Sequence, residues 1–274
     1  MPMPYIFAAL TLAHAFVLGE AFSFSRSSGL VMAPVQLVTN EWCPQHCSQG
    51  ELRGYVIEIV EQALKEEGVP FEISYQPWVR ALREVEKGRK DGILTPTVPG
   101  FPQFLYHEEA IGFQEYCFYA PRSSTWTFRT NSDLLGQRVA FLDESGLGAI
   151  ENYMTEHASR IAVMRFASGD HNYVDRLFQF LMTGRTDLVV ITSDVYDFSL
   201  KHKVIPNEFR NAGCLGIEKM AVGLSKADEK RSLLIGKALD RGIRKLRQKG
   251  QLKDILRKYG LSDWQTPQVS AQRI

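Results

Sequence analysis

Between Leu52 and Leu94 the apolar positions change period three times. Tyr55, Ile59, Ala63 and Leu64 recur at helical spacing behind Gly54, and Gly68 and Pro70 supply the stop. Phe71, Ile73 and Tyr75 then alternate with Glu72 and Ser74, the period of a strand. Trp78, Ala81, Leu82 and Val85 restore the helical period as far as Gly88, and Asp91 to Leu94 begins a buried strand. Polar and aromatic residues fall at the ends of these elements, where an open α/β sheet presents its crevice.

The remainder of the chain continues the alternation. A strand Val35 to Thr39 precedes this run, and a strand ending at Pro121 follows it. Further strands are predicted at Arg138 to Leu142, Val163 to Phe166, Thr186 to Ile191 and Met220 to Ser225. Helices are predicted from Ala149 to His157, Tyr173 to Met182 and Tyr196 to Lys201, and long helices finish the chain. Two successive sets of alternating β and α elements argue for two parallel-type sheets.

Composition narrows the function classes. Lys and Arg number 32 against 31 Asp and Glu in 274 residues, so the chain lacks the basic field that releases counterions from nucleic-acid phosphates. The local basic run Lys237 to Lys258 is interleaved with Leu239, Ile243, Leu246, Leu252, Ile255 and Leu256, which makes it the wet face of amphipathic helices. His107, His157, His171 and His202 are scattered and read as solvated.

The first residues read as an export signal. Tyr5 to Leu18 is largely apolar and short for a membrane span, and Gly19-Glu20-Ala21 is a small-x-small cleavage pattern, although no Lys or Arg precedes it. A non-cleaved anchor or buried N-terminal helix is the alternative. With cleavage, residues 1–21 are signal peptide and residues 22–34 a leader, and the mature protein resides in the periplasm. Cys43 and Cys47 lie in a loop after the first strand. They admit a disulfide-closed loop, two free thiols, or a metal site with His46. Cys117 and Cys214 read as buried small hydrophobes within strands.

Five ordered segments carry a specific likeness. Leu52 to Ile59 (LRGYVIEI), Trp78 to Gly92 (WVRALREVEKGRKDG), Gly136 to Ala140 (GQRVA), Thr183 to Val190 (TGRTDLVV) and Gly250 to Gly260 (GQLKDILRKYG) resemble signatures of the family 3 extracellular solute-binding proteins, the amino-acid receptors of ABC importers. The resemblance implies an α/β fold of the two-lobed periplasmic binding protein-like II type, two mixed sheets joined by two hinge strands. Residues 35–120 and 220–274 would form one lobe and residues 121–219 the other. It also implies a small-molecule solute captured by lobe closure, a monomer, an ABC permease or a membrane sensor as partner, and no cofactor.

The candidate site residues follow from both readings. Trp42 and Trp78 are aromatic walls, with Tyr55 at the start of the first helix. Arg80 is a possible carboxylate clamp. Thr95 and Thr97 end a strand where the family receives a ligand carboxylate, and Ser145 and Gly146 precede a helix N-terminus that attracts anions. The resemblance breaks at two anchors. No Arg follows Thr97 in Val98-Pro-Gly-Phe-Pro-Gln-Phe, and Thr192 stands where the family places the acidic residue for the α-amino group, with Asp194 two positions late. Two lost charge-assisted bonds cost about two to four orders of magnitude in affinity, which argues against a standard α-amino acid. A lyase-type enzyme on the same fold, with acid–base groups from Glu41, His46, Glu108 or Asp194, is the alternative of another class. A metal-binding receptor using Cys43, His46 and Cys47 is the third reading.

Overall fold

A computed structural model describes Met1 and residues 33–143, 145–167 and 172–264. Nearly all of the segment expected to be signal peptide and leader, with His171, therefore lies outside the described residues.

The first sheet is built by β1 (Val35–Thr39), β2 (Phe71–Tyr75), β3 (Gly92–Ile93), β4 (Leu105–Tyr106) and the returning β10 (Gly223–Leu224). Its order is β2-β1-β3-β10-β4. β1 pairs in parallel with both β2 and β3, while β10 runs antiparallel to β3 and β4. The helices α1 (Tyr55–Glu66) and α2 (Trp78–Glu86) are the crossovers, and α6 (Glu229–Gln248) and α7 (Gln251–Lys258) complete this lobe. Ile59, Val60, Ala63 and Leu64 of α1 are buried with Leu239, Ile243, Leu252 and Leu256 in one apolar cluster. The basic face of α6 and α7 is not idle: Lys258, Lys249 and Arg241 reach Glu58, Glu66 and Glu67, each at 2.6 Å.

The second sheet has the order β7-β6-β8-β5-β9. It comprises β5 (Gly112–Pro121), β6 (Arg138–Leu142), β7 (Ala162–Phe166), β8 (Leu188–Thr192) and β9 (Phe209–Met220). Its helices are α3 (Ala149–Glu156), α4 (Tyr173–Met182) and α5 (Ser193–Lys201). The long antiparallel pair β5 and β9 runs the length of this lobe, with Gly112 opposite Met220 at the end nearest the first. There a bridge joins Thr97 to Met220, and Gly112 abuts the Tyr55 ring. Both strands hydrogen-bond within the second sheet.

Two expectations for single residues change. Cys117 and Cys214 are register partners on β5 and β9, and their sulfurs stand at disulfide distance, so they are not two separate hydrophobes. His107 is buried rather than solvated: it meets Asp240 on α6 at 3.1 Å and accepts from the Val222 amide at 3.0 Å. Among the described residues, no helix is long and apolar enough to cross a membrane.

Candidate functional site

The chain after β1 does not leave the sheet freely but folds over the first turn of α1. The Pro44 and Gln45 carbonyls accept from the Tyr55 and Val56 amides at 3.0 Å each, satisfying two amides that a helix N-terminus leaves open. The loop can lie this close because residue 54 is glycine: a Cβ there would stand 2.3 Å from the Gln45 oxygen, and its φ is +103°. Cys43 and Cys47 pair at disulfide distance at the ends of the loop. His46 turns inward from both. Its Nδ1 is 2.7 Å from the Asn40 carbonyl, which only accepts, so Nδ1 carries the proton and Nε2 accepts from the Thr95 hydroxyl at 2.8 Å. Burial pushes the His46 pKa down to about 3. The metal set Cys43, His46 and Cys47 is therefore not assembled, because the imidazole is committed elsewhere and the sulfurs to each other.

This wiring presents a cavity between the lobes. On the first lobe it is lined by Asn40 at the end of β1, Trp42 and Gln45 of the loop, Trp78 at the start of α2, Thr95 past β3, and Phe101. Gln114 and Tyr116 of β5, Leu142 and Asp143 at the end of β6, and Ser145 close the other side. Asn40, Thr95, Leu142 and Asp143 stand at or just past the carboxyl ends of the parallel strands β1, β3 and β6, the position where open α/β sheets bind ligands. The cavity holds about 30 Å³, room for a few atoms, because the lobes stand close. Trp42 stacks on Tyr173 of α4 with centroids 5.5 Å apart and planes 17° from parallel. Gly146 lies against the Phe101 ring, and Gln45 donates to Asp194 of α5 at 3.0 Å.

The predicted residues separate into groups. Trp42, Trp78, Thr95 and Ser145 line the cavity. Thr95 reaches it from a positive φ of 59°, a strained position for a β-branched residue, and its hydroxyl is held by His46. Thr97 is buried beside it at the bridge to β9, with no partner for its hydroxyl among the described residues. Gly146 does not line this cavity but a second one of about 390 Å³. Thr192 is fully buried, opposite Tyr116 in the β5–β8 register. Arg80 is exposed and does not line the cavity, and neither does the exposed Glu108. Tyr55 and Asp194 meet each other through a hydrogen bond behind Gln45, and Asp194 lines a third cavity of about 230 Å³ with Lys258 and Tyr259. Gln45, Phe101, Gln114, Tyr116 and Asp143 were not singled out from the sequence.

Burial raises the Asp194 pKa from its ordinary value of 3.8, against the hydrogen bonds from Gln45 and the Val195 amide. A carboxyl raised in this way holds more protons folded than unfolded, so it favours the folded state at low pH and opposes it as pH rises through the shifted value. Asp194→Asn is therefore expected to gain stability relative to the wild type at pH 8, with the gap narrowing toward pH 4. Thermal melts of both proteins across that range check it; a gap independent of pH would contradict the assignment.

No protein-family model matches the chain, and no curated protein does. Solved structures do. An amino-acid ABC transporter substrate-binding protein from Streptococcus pneumoniae, bound to L-arginine, aligns at TM-score 0.63 with 18% identity over 82% of this chain and 94% of its own. The GluR0 ligand-binding core from Nostoc punctiforme, with L-glutamate, gives 0.65 and 17% over 82% and 99%. A histidine kinase sensor domain with similarity to periplasmic binding proteins gives 0.67 and 15% over 85% and 99%. The chain thus has the two-lobed α/β fold of the periplasmic binding proteins.

Proposed function

We propose that the protein is a solute-binding receptor that captures a small polar molecule between its lobes. One observation carries the reading. The interlobe cavity sits at strand carboxyl ends and is walled by aromatic rings, and the buried Gln45 Oε1 and Ser145 Oγ of its lining have no hydrogen-bond partner among the described residues. Buried polar atoms without partners are costly, and a solute that satisfies them recovers that cost. The lobes are bridged by contacts that an opening motion would break, Trp42 on Tyr173 and Gln45 on Asp194. Closure of this kind commits a ligand without covalent chemistry. Export to the periplasm and delivery to an ABC permease or a membrane sensor fit the reading, as does a mature protein with its four cysteines paired as Cys43–Cys47 and Cys117–Cys214.

The test is a thermal-shift screen of the exported protein against a broad library of small polar solutes, followed by small-angle scattering. At 100 times Kd a ligand of the native state adds about 2.7 kcal/mol, several degrees in a chain of this size. A library that moves neither the melting temperature nor the radius of gyration would remove the reading.

A further inference from the structure

Resting on the receptor reading, we propose that the solute is a small organic cation without a carboxylate, held among the rings of Trp42, Trp78, Phe101 and Tyr116 with Asp143 as counter-ion. Three observations converge on this class.

The first is the charge of the lining. Among the described residues that line the cavity there is no Arg or Lys, and Asp143 is the one charged side chain. Its ion-pair partner, Arg165, stands 3.7 Å away and is shared with Glu151 at 3.2 Å. The second is the field deeper in the cleft. Burial raises the pKa of the Tyr116 hydroxyl, and the Glu218, Asp194 and Glu151 carboxylates add to that rise; burial does the same for Tyr173, with Asp194, Glu41 and Tyr116 adding to it. A ligand carboxylate would lose its water there and meet the same sign of charge, whereas an ammonium meets the opposite one.

The third observation is the direction of the unpaired groups. The Gln45 amide is oriented by Asp194, which takes one of its two Nε2 hydrogens, and its Oε1, which can only accept, is buried without a partner among the described residues. It calls for a donor. The α1 N-terminus, which would otherwise attract an anion, is filled by the Pro44 and Gln45 carbonyls. Aromatic faces complete the set, since a cation is attracted to the ring quadrupole and an anion is not. Because the cavity holds only about 30 Å³, any solute of more than a few atoms enters with the lobes apart.

Calorimetry with matched pairs tests the proposal: ethanolamine with serine, histamine with histidine, agmatine with arginine, and choline with glycine betaine. Each pair shares a cationic head and differs in the carboxylate. The expected result is that at least one cation binds, roughly 10- to 100-fold tighter than its carboxylate-bearing twin. Asp143→Asn, at a half-exposed position where folding is not at stake, should weaken that cation by about 10-fold. A twin that binds as tightly as its cation, or an Asp143→Asn protein that binds it unchanged, overturns the cation assignment and leaves the receptor intact. So does a library in which only uncharged or carboxylate-bearing solutes bind. A library with no binder of any class overturns both.

Discussion

Acidification from pH 7 to pH 4 is expected to cost the folded protein about 3 kcal/mol through His46 alone. The imidazole is fully buried, and its pKa falls from 6.5 to about 3 because burial disfavours the charged form more than the Asn40 carbonyl favours it. A base with a lowered native pKa stays neutral in the fold while the unfolded chain takes up a proton. Its contribution is therefore complete above pH 6.5 and is lost progressively as pH falls toward 3. The contribution has the opposite sign to that of Asp194, so neither is read from the wild type alone. Urea denaturation of wild type and His46→Gln at pH 7 and pH 4 isolates it. The variant is expected to start less stable, having lost the tie between Asn40 and Thr95, and to lose about 3 kcal/mol less on acidification. Parallel losses in the two proteins would show that His46 is not the titrating group.

The tie explains what of the site was legible. Trp42, Trp78, Thr95 and Ser145 were recognisable because each stands at the end of an element whose period is plain in the sequence, and such ends meet at a crevice. Gln45 was not, because nothing in Trp42-Cys-Pro-Gln-His-Cys shows that the loop lies across α1 and turns its glutamine between the lobes. Tyr116 belonged to a predicted strand, but its place in the cavity depends on the antiparallel register with Thr192, a long-range fact. Strict alternation along Gln114, Tyr116 and Phe118 was the available signal for putting Gln114 and Tyr116 on one face.

Asp194 moved for a local reason. Helix α5 begins at Ser193, earlier than the apolar period suggested, so the carboxylate lies in its first turn, where it accepts from the Val195 amide and from Gln45. Among strands, β9 was the least legible. Asn211, Gly213 and Gly216 interrupt its alternation, and pairing with β5 sustains it where propensity does not. The pairing of Cys117 with Cys214 is hidden for the same cause, since it spans 97 residues and follows only from that register.

The largest effect of a single methyl group is expected at Gly54. In Gly54→Ala the new Cβ would stand 2.3 Å from the Gln45 oxygen and 2.5 Å from the His46 Cα, contacts that backbone on both sides prevents from relaxing cheaply. The φ of +103° adds strain that an alanine cannot relieve in place. Together these amount to about 4 kcal/mol, a fall of roughly 10 °C in melting temperature for a chain of this length. Gly50→Ala is the control. Its φ of +88° is equally unfavourable, but no atom lies within 4 Å of the added Cβ, so only about 1 kcal/mol is expected. The difference between the two variants measures the clash rather than the backbone conformation. Any Gly54→Ala protein that folds must lift the 42–47 loop from α1, which frees the Tyr55 and Val56 amides and displaces Trp42 from Tyr173 and Gln45 from Asp194. Solute affinity should then fall with stability in Gly54→Ala and remain near wild type in Gly50→Ala, as calorimetry on both would record. Equal melting temperatures for the two variants would mean that the loop does not rest on the helix as closely as this packing requires.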